Sequence, residues 1–256
     1  MAEHAVFAGG GWRLRLGMLL PSSNTVAEAD VAAMLPTGCA LHTTRLRLTG
    51  SGREEMLAMA AGMEEGARLI ADAEPDLIVF HCTAVSTLDP DLGEDVVRRI
   101  ERLTGRPATA TSRALLSAFA ALGARRIALL TPYVAEVNAS EIAFLAHHGI
   151  VVAAERGLGC RTGVDMAGIE PGAWYRHAMA MRREDVDAYF ISCTTIRVSP
   201  VITALERDLG RPVITSNQAM AWHCLRRAGI AEPVPGYGRL FGEACAPAEH
   251  GSTLSP

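Results

Sequence analysis

Two of the six cysteines in this sequence occur in matching contexts that suit covalent chemistry. Cys82 and Cys193 each follow a short apolar run and precede a threonine, in Val-Phe-His-Cys-Thr-Ala and Phe-Ile-Ser-Cys-Thr-Thr. A cysteine at the point where a strand ends and a helix begins faces backbone N–H groups and the positive end of the helix dipole, which favour the thiolate. We therefore predict two reactive thiols and interpret the other four cysteines as small buried apolar residues.

Polar residues near these cysteines, and after the first strand of each half, could bind a carboxylate. Hydroxyls and backbone N–H groups at helix starts form anion sites, and asparagine and tyrosine side chains donate further hydrogen bonds. The candidate binding residues are Ser23, Asn24, Thr83, Ala84, Tyr133, Thr194 and Thr195. Helix capping would explain 22–25 equally well, and a half-buried core position would explain Tyr133, so the residues alone leave these alternatives open.

An internal repeat accounts for the pair of cysteines. Arg15–Pro21 is similar to Arg126–Pro132, and these segments are 111 residues apart, as are the two cysteines. Glu101–Pro107 is similar to Glu206–Pro212 at a spacing of 105 residues. The repeat predicts two similar α/β lobes related by a pseudo-two-fold axis. Because sites in parallel sheets form at the carboxyl ends of strands, both cysteines should face one interlobe cleft.

The elements that must position these residues follow from hydrophobic patterning. Short apolar runs alternate with longer amphipathic stretches, which is typical of βαβ units and parallel sheets. The predicted strands are Leu14–Leu20, Leu41–Leu48, Leu77–Phe80, Ala108–Ala110, Ile127–Thr131, Ile150–Ala154, Ala188–Ser192 and Val213–Thr215. The predicted helices are Thr25–Met34, Arg53–Ala73, Leu92–Thr104, Arg113–Leu122, Ala135–His147, Pro171–Glu184, Val201–Leu209 and Gln218–Ala228. We assign 14–112 plus 216–240 to the first lobe, 113–215 to the second, and 1–13 and 246–256 to loose termini.

Composition excludes several classes of protein. The 256 residues are 49% hydrophobic, and 24 basic against 28 acidic residues leave no basic surplus for binding nucleic acid. Long apolar runs and a secretion signal are both absent, so we expect neither membrane insertion nor export. Without a CxxC pair or a four-ligand His/Cys cluster, we expect free thiols in a reducing cytoplasm and no metal.

The segments quoted above resemble the aspartate/glutamate racemase superfamily and, within it, the maleate cis-trans isomerases. Gly17–Thr25 is similar to the opening of those isomerases, and the Cys-Thr elements match their two cysteines. The resemblance implies a cofactor-independent isomerase of a small dicarboxylic acid, and we expect a homo-oligomer. By resemblance, Cys82 adds to the double bond, Cys193 handles the proton on the adjacent carbon, and Tyr133 contacts a substrate carboxylate.

Other activities stay open at this point. Arylmalonate decarboxylases are similar around Tyr133–Asn138 and Gly157–Ala167, but they carry only the second-lobe cysteine. A two-cysteine racemase of a small chiral acid would use the same residues, and a non-catalytic carboxylate-binding protein is a further alternative. Residues Gly159–Val164 also lack the asparagine that maleate isomerases usually carry in this loop, so the substrate itself is left open.

Overall fold

Two parallel four-stranded sheets form the framework of the computed structural model, which describes residues 10–242. The first sheet has the order β2-β1-β3-β4 and the second the order β6-β5-β7-β8. The strands are β1 (Leu14–Pro21), β2 (Cys39–Leu46), β3 (Leu77–Phe80), β4 (Ala108–Ala110), β5 (Arg126–Thr131), β6 (Val151–Gly157), β7 (Ala188–Ile191) and β8 (Val213–Thr215). The identical strand orders confirm the predicted α/β fold of two similar lobes.

Helices follow the strands in both halves, as the alternating pattern predicts. They are α1 (Ala27–Met34), α2 (Arg53–Ala61), α3 (Met63–Ala71), α4 (Thr83–Ser86), α5 (Leu92–Thr104), α6 (Thr111–Ala121), α7 (Ala135–His147), α8 (Gly163–Gly168), α9 (Pro171–Ala180), α10 (Ile202–Leu209) and α11 (Ser216–Arg227). The inner strands β3 and β7 are buried along their whole length, because helices cover both faces of a parallel sheet.

A shared core joins the two sheets. One cluster of buried side chains includes Leu16 and Met18 of β1 together with Leu129 of β5. Helices α6 and α11 contact each other, and Phe119 of α6 packs edge-on against Phe190 of β7, with ring centroids 5.5 Å apart. This continuous packing fixes the carboxyl ends of both sheets relative to one another.

Several element boundaries differ from the sequence prediction. The predicted helix Arg53–Ala73 is two helices, α2 and α3, which meet at Gly62. Helix α8 was not predicted, and β2 begins two residues earlier than expected. The lobe boundaries stay a prediction, and the predicted loose termini, 1–13 and 246–256, lie outside the described residues except for 10–13. Within 10–242, no helix is long and apolar enough to cross a membrane.

Candidate active site

Cys82 lies at the predicted junction between a strand and a helix. It follows β3 and occupies the N-cap position of α4, with extended backbone angles of φ −150° and ψ 110°. Its carbonyl oxygen accepts a hydrogen bond from Ser86 at 3.0 Å, and the N–H groups of Ala84 and Val85 are directed at its sulfur. The side chain is buried, so the thiol is shielded from water.

Cys193 is held differently, and the prediction of a helix directly after it is wrong. Residues 194–198 form bends and irregular backbone before a 3-10 turn and α10. Cys193 adopts φ 134°, a conformation that costs an L-residue free energy and persists only where its surroundings enforce it. Its sulfur accepts a hydrogen bond from the N–H of Thr195 at 3.2 Å.

Both sulfurs face the same small cavity between the carboxyl ends of the two sheets. The cavity has a volume of about 50 Å³. Eight of the nine predicted site residues line it: Ser23, Cys82, Thr83, Ala84, Tyr133, Cys193, Thr194 and Thr195. The two Cys-Thr elements therefore meet in one interlobe cleft, as the repeat predicts.

Burial has the largest effect on the pKa values of the two thiols. It raises the pKa of Cys82 to about 12, although the N–H groups of Val85 and Ala84 oppose the shift. It also raises the pKa of Cys193 to about 11, against the hydrogen bonds from Thr195 and Tyr133. The sequence-based expectation of a net preference for thiolate is wrong in this structure, since desolvation outweighs the amide dipoles.

Tyr133 lies close to Cys193 at the cavity wall. It follows β5, its backbone N–H donates to the hydroxyl of Thr131 at 3.0 Å, and its side chain is buried. Burial raises the tyrosine pKa well above its ordinary value, and the neighbouring Cys193 sulfur acts in the same direction. The hydroxyl group is therefore a neutral donor at the cavity wall.

Asn24 lies one layer behind the cavity. Its Oδ1 accepts hydrogen bonds from the N–H groups of Val26 and Ala27, both at 2.9 Å, and so caps the start of α1. Its Nδ2 donates to the hydroxyl of Thr194 at 3.0 Å. Asn24 thus performs the capping role that the sequence left open, and it also orients a residue of the cavity wall.

Ser216 is a site residue that the sequence analysis missed. It is the first residue of α11, and its hydroxyl oxygen accepts hydrogen bonds from the Thr83 hydroxyl at 2.8 Å and from the Cys193 N–H at 3.1 Å. One hydroxyl therefore links the two Cys-Thr elements. The repeat could have identified Ser216, because its position directly after β8 corresponds to the start of α6 in the first half of the chain.

Two loops close the cavity: the loop after β2, which the sequence analysis missed, and the loop after β6, which it considered only through the family resemblance. The hydroxyl of Ser51 donates to the carbonyl of Arg161 at 3.0 Å, which joins the loop after β2 to the loop after β6. Gly163 comes so close to Ser23 that a Cβ there would lie 3.1 Å from its carbonyl oxygen. Further lining residues absent from the prediction are Pro21, Leu48, Thr49, Gly50, Ser51, Met56, Val137, Gly163 and Met166.

The resulting site combines nucleophiles, proton carriers and hydrogen-bond donors, and none of the residues of 10–242 that line the cavity is an aspartate or a glutamate. Two thiols can add to an electrophilic carbon or transfer a proton, and hydroxyl and amide donors can stabilise a carboxylate that gains charge. A model of the arylmalonate decarboxylase family matches residues 16–241. The chain belongs to this family.

Relatives of this family member include enzymes of two kinds. The chain is 39% identical over 240 residues to the arylmalonate decarboxylase of Bordetella bronchiseptica, covering 90% of this chain and 97% of that one. It is 31% identical over 241 residues to a maleate isomerase of Nocardia farcinica, covering 89% and 95%.

A solved structure of a maleate cis-trans isomerase from Nocardia farcinica has the same fold. It is a variant in which serine replaces a cysteine, with a covalently bound succinylcysteine intermediate. Its TM-score to this chain is 0.85 at 27% identity, covering 89% of this chain and 98% of the other. The similarity extends over both lobes and therefore over the whole candidate site.

Proposed function

We propose that this protein is a cofactor-independent cis-trans isomerase of a maleate-like dicarboxylic acid. The observation that carries the proposal is the pair of buried thiols, Cys82 and Cys193, which line one small cavity. A carbon–carbon double bond does not rotate, so an isomerase must remove it for a time. Two groups are sufficient for this: one adds to the double bond, and the other supplies a proton to the neighbouring carbon.

The first half of the reaction converts the alkene to a saturated adduct. The Cys82 thiolate forms a carbon–sulfur bond to one alkene carbon, and the π electrons move onto the other carbon and its carboxylate as an enediolate. The Cys193 thiol then donates its proton to that second carbon and becomes a thiolate. The product is a succinyl thioether of Cys82 in which the former double bond is a single bond.

The second half reverses these steps after rotation about the single bond. The Cys193 thiolate takes a proton back from the second carbon, the electron pair reforms the double bond, and the carbon–sulfur bond to Cys82 breaks. The trans diacid leaves, and the starting protonation state of both cysteines is restored. The added negative charge lies first on Cys82, then on the enediolate and then on Cys193, so the two buried thiols are never ionised together.

Donors around the cavity can stabilise the enediolate. The Tyr133 hydroxyl and the hydroxyl groups of Thr194 and Thr195 line the same space as both sulfurs. In the proposed mechanism they hydrogen-bond the carboxylate whose negative charge increases during the addition. Donors fixed in advance in a site of low water content stabilise such a charge strongly.

The comparison with the Nocardia farcinica isomerase supports the two-cysteine scheme. In that variant one cysteine is a serine, and a succinylcysteine is nevertheless present, so a different cysteine carries the succinyl group. We transfer this division of labour to Cys82 as the nucleophile and Cys193 as the proton donor and acceptor.

Proton NMR of the purified enzyme with maleate tests the proposal. Fumarate should accumulate with loss of the maleate signal, and no added cofactor should be needed. Citraconate and other cis-enedioates should be screened in parallel, because the loop at Gly159–Val164 differs from the expected asparagine-containing form. Absence of conversion with every cis-enedioate would contradict the isomerase assignment.

Decarboxylation of a malonate-type acid is the second candidate, and the 39% identity to a known arylmalonate decarboxylase favours it. In that case Cys193 would protonate the carbon that loses CO₂, and Cys82 would be dispensable. Release of CO₂ from a disubstituted arylmalonate, retained in Cys82→Ala, would select this function. Deuterium exchange at the α-carbon of a chiral acid without either reaction would select a racemase.

A further inference from the structure

Glu141 is a carboxyl group buried directly behind Cys193. It lies on α7 with 1% of its surface exposed, and its Oε1 accepts a hydrogen bond from the Ser192 hydroxyl at 2.7 Å. Its other oxygen, Oε2, has no hydrogen-bond partner within the described part of the chain. A buried polar atom without a partner is costly and calls for an explanation beyond packing.

The hydrogen bond from the Ser192 hydroxyl connects Glu141 to the chain segment that carries the reactive sulfur. Ser192 directly precedes Cys193, whose φ of 134° has to be enforced by its surroundings. The contact with Ser192 fixes one side of this turn, and the hydrogen bond from the Cys193 N–H to Ser216 fixes the other. Glu141 is thus connected to the thiol through one hydrogen bond and one peptide unit.

The titratable groups around Glu141 become negative when they lose a proton. None of them can therefore act as a counter-ion to a Glu141 carboxylate. Tyr133 and Cys193 interact electrostatically with it from the ends of β5 and β7, and Cys82 lies across the same cavity. Glu155 of β6 hydrogen-bonds Asn138, one turn earlier on α7. No basic side chain in residues 10–242 forms an ion pair with Glu141. Burial without a counter-ion favours the neutral carboxyl group.

We propose that Glu141 is a positioning residue for Cys193, a neutral buried carboxyl that holds the strained turn through Ser192 and leaves the negative charge of the site to the sulfur. While Glu141 is protonated, the thiolate has no like charge behind it. When Glu141 ionises, the new carboxylate repels the Cys193 thiolate. The inference builds on the proposed role of Cys193 but concerns only the ionisation of this thiol.

The expected pH dependence of Cys193 ionisation follows from the repulsion between the Glu141 carboxylate and the Cys193 thiolate. Burial raises the pKa of Glu141 to about 7, against the hydrogen bond from Ser192. As the pH rises through this value, Glu141 becomes negative and the pKa of the Cys193 thiol increases. A neutral glutamine at this position retains an acceptor for Ser192 but never ionises, so Cys193 should lose its proton at lower pH than with glutamate.

Alkylation of Cys193 measures this effect without any substrate. In a Cys82→Ser background, the rate of iodoacetamide addition to the peptide containing Cys193 is followed by mass spectrometry as a function of pH. Glu141→Gln should shift the midpoint down by about one pH unit, equivalent to about tenfold faster alkylation at moderately alkaline pH. Because turnover is not measured, this result is independent of whether maleate is the substrate.

Glu136→Gln is the matched control, since Glu136 is exposed on the same helix and should leave the Cys193 profile unchanged. A folded Glu141→Gln variant with the profile of the parent would overturn the proposal, because a purely structural carboxyl predicts that result. Infrared spectra of the unsubstituted protein provide a second measurement that does not depend on the variant's yield. They should show a protonated carboxyl C=O band that disappears as the pH is raised through neutrality, and absence of such a band would also overturn it.

Discussion

Burial and hydrogen bonding act in opposite directions on the sulfur atoms of Cys82 and Cys193. Desolvation raises both thiol pKa values, whereas the N–H groups of Val85 and Thr195 stabilise the thiolates. The net effect favours neutral thiols. A buried thiolate that does form is poorly solvated, however, and its charge must be balanced by the few donors lining the cavity.

Activity of the proposed isomerase should increase with pH across the neutral and mildly alkaline range. The pair must lose one proton before the addition, and the thiol pKa values of about 12 and 11 lie well above neutrality. The thiolate fraction then increases about tenfold for each pH unit between about 7 and 9. A profile of log kcat/KM against pH checks this, and a plateau reached below neutral pH would contradict it.

Loss of one cysteine should separate the two halves of the reaction. Cys193→Ser keeps the nucleophile but removes an efficient proton carrier, so turnover should fall by about 10²- to 10⁴-fold. Intact-protein mass spectrometry after incubation with maleate should then detect a covalent adduct on Cys82. Cys82→Ser should lose turnover without forming an adduct, and full activity in either variant would exclude the paired mechanism.

At the scale of secondary structure, the start of α11 links the two reactive loops. The hydroxyl of its first residue, Ser216, serves both Thr83 and the backbone of Cys193. A helix from the end of the second repeat thus stabilises a loop of the first. The spacing of the two sulfurs depends on this helix as well as on the strands that precede them.

Ser216→Ala should reduce both stability and turnover. It leaves the buried Cys193 N–H without an acceptor, which costs about 1–3 kcal/mol. Urea denaturation should report this loss, and kcat should decrease more than KM changes, because the position of Cys193 is affected. Ser140→Ala, which removes a hydroxyl that donates to the carbonyl of Glu136 on its own helix, is the control and should change neither quantity measurably.

Sequence patterning predicted most of the helices and strands but only about half of the residues that line the cavity. The repeat identified strands β1, β3, β5 and β7 and both Cys-Thr elements, because these depend on local apolar runs and their endings. Leu48, Met56 and Met166 were missed because they lie on the loop after β2, on α2 and on α8, which only the tertiary fold brings to the cavity. The thiol pKa values were predicted in the wrong direction, since desolvation depends on how many atoms surround a group in the folded chain.

For the whole molecule, packing between the two halves determines the geometry of the cleft. Phe119 of α6 meets Phe190 of β7 within a core cluster that contains side chains of both sheets. Changes in this core should therefore affect the cleft even though these residues lie outside the cavity lining.

Phe119→Ala should destabilise the entire fold. Phe119 is 1% exposed, and removal of a buried aromatic ring costs about 3–5 kcal/mol of unfolding free energy. Chemical denaturation measures the loss, and a single transition is expected because both sheets share this core. Leu69→Ala, at a site 58% exposed, serves as the control and should have little effect. Two separated transitions in the parent protein would indicate independent lobes.

At position 193 the left-handed backbone favours glycine for stability, whereas the proposed activity requires cysteine. Glycine is the residue that adopts such angles without steric cost, and only the sulfur of cysteine can perform the proposed chemistry. A Cys193→Gly protein would therefore be expected to tolerate heat about as well as the parent while losing its reaction. Selection for stability alone would favour glycine at this position, and the proposed chemistry accounts for the cysteine found there.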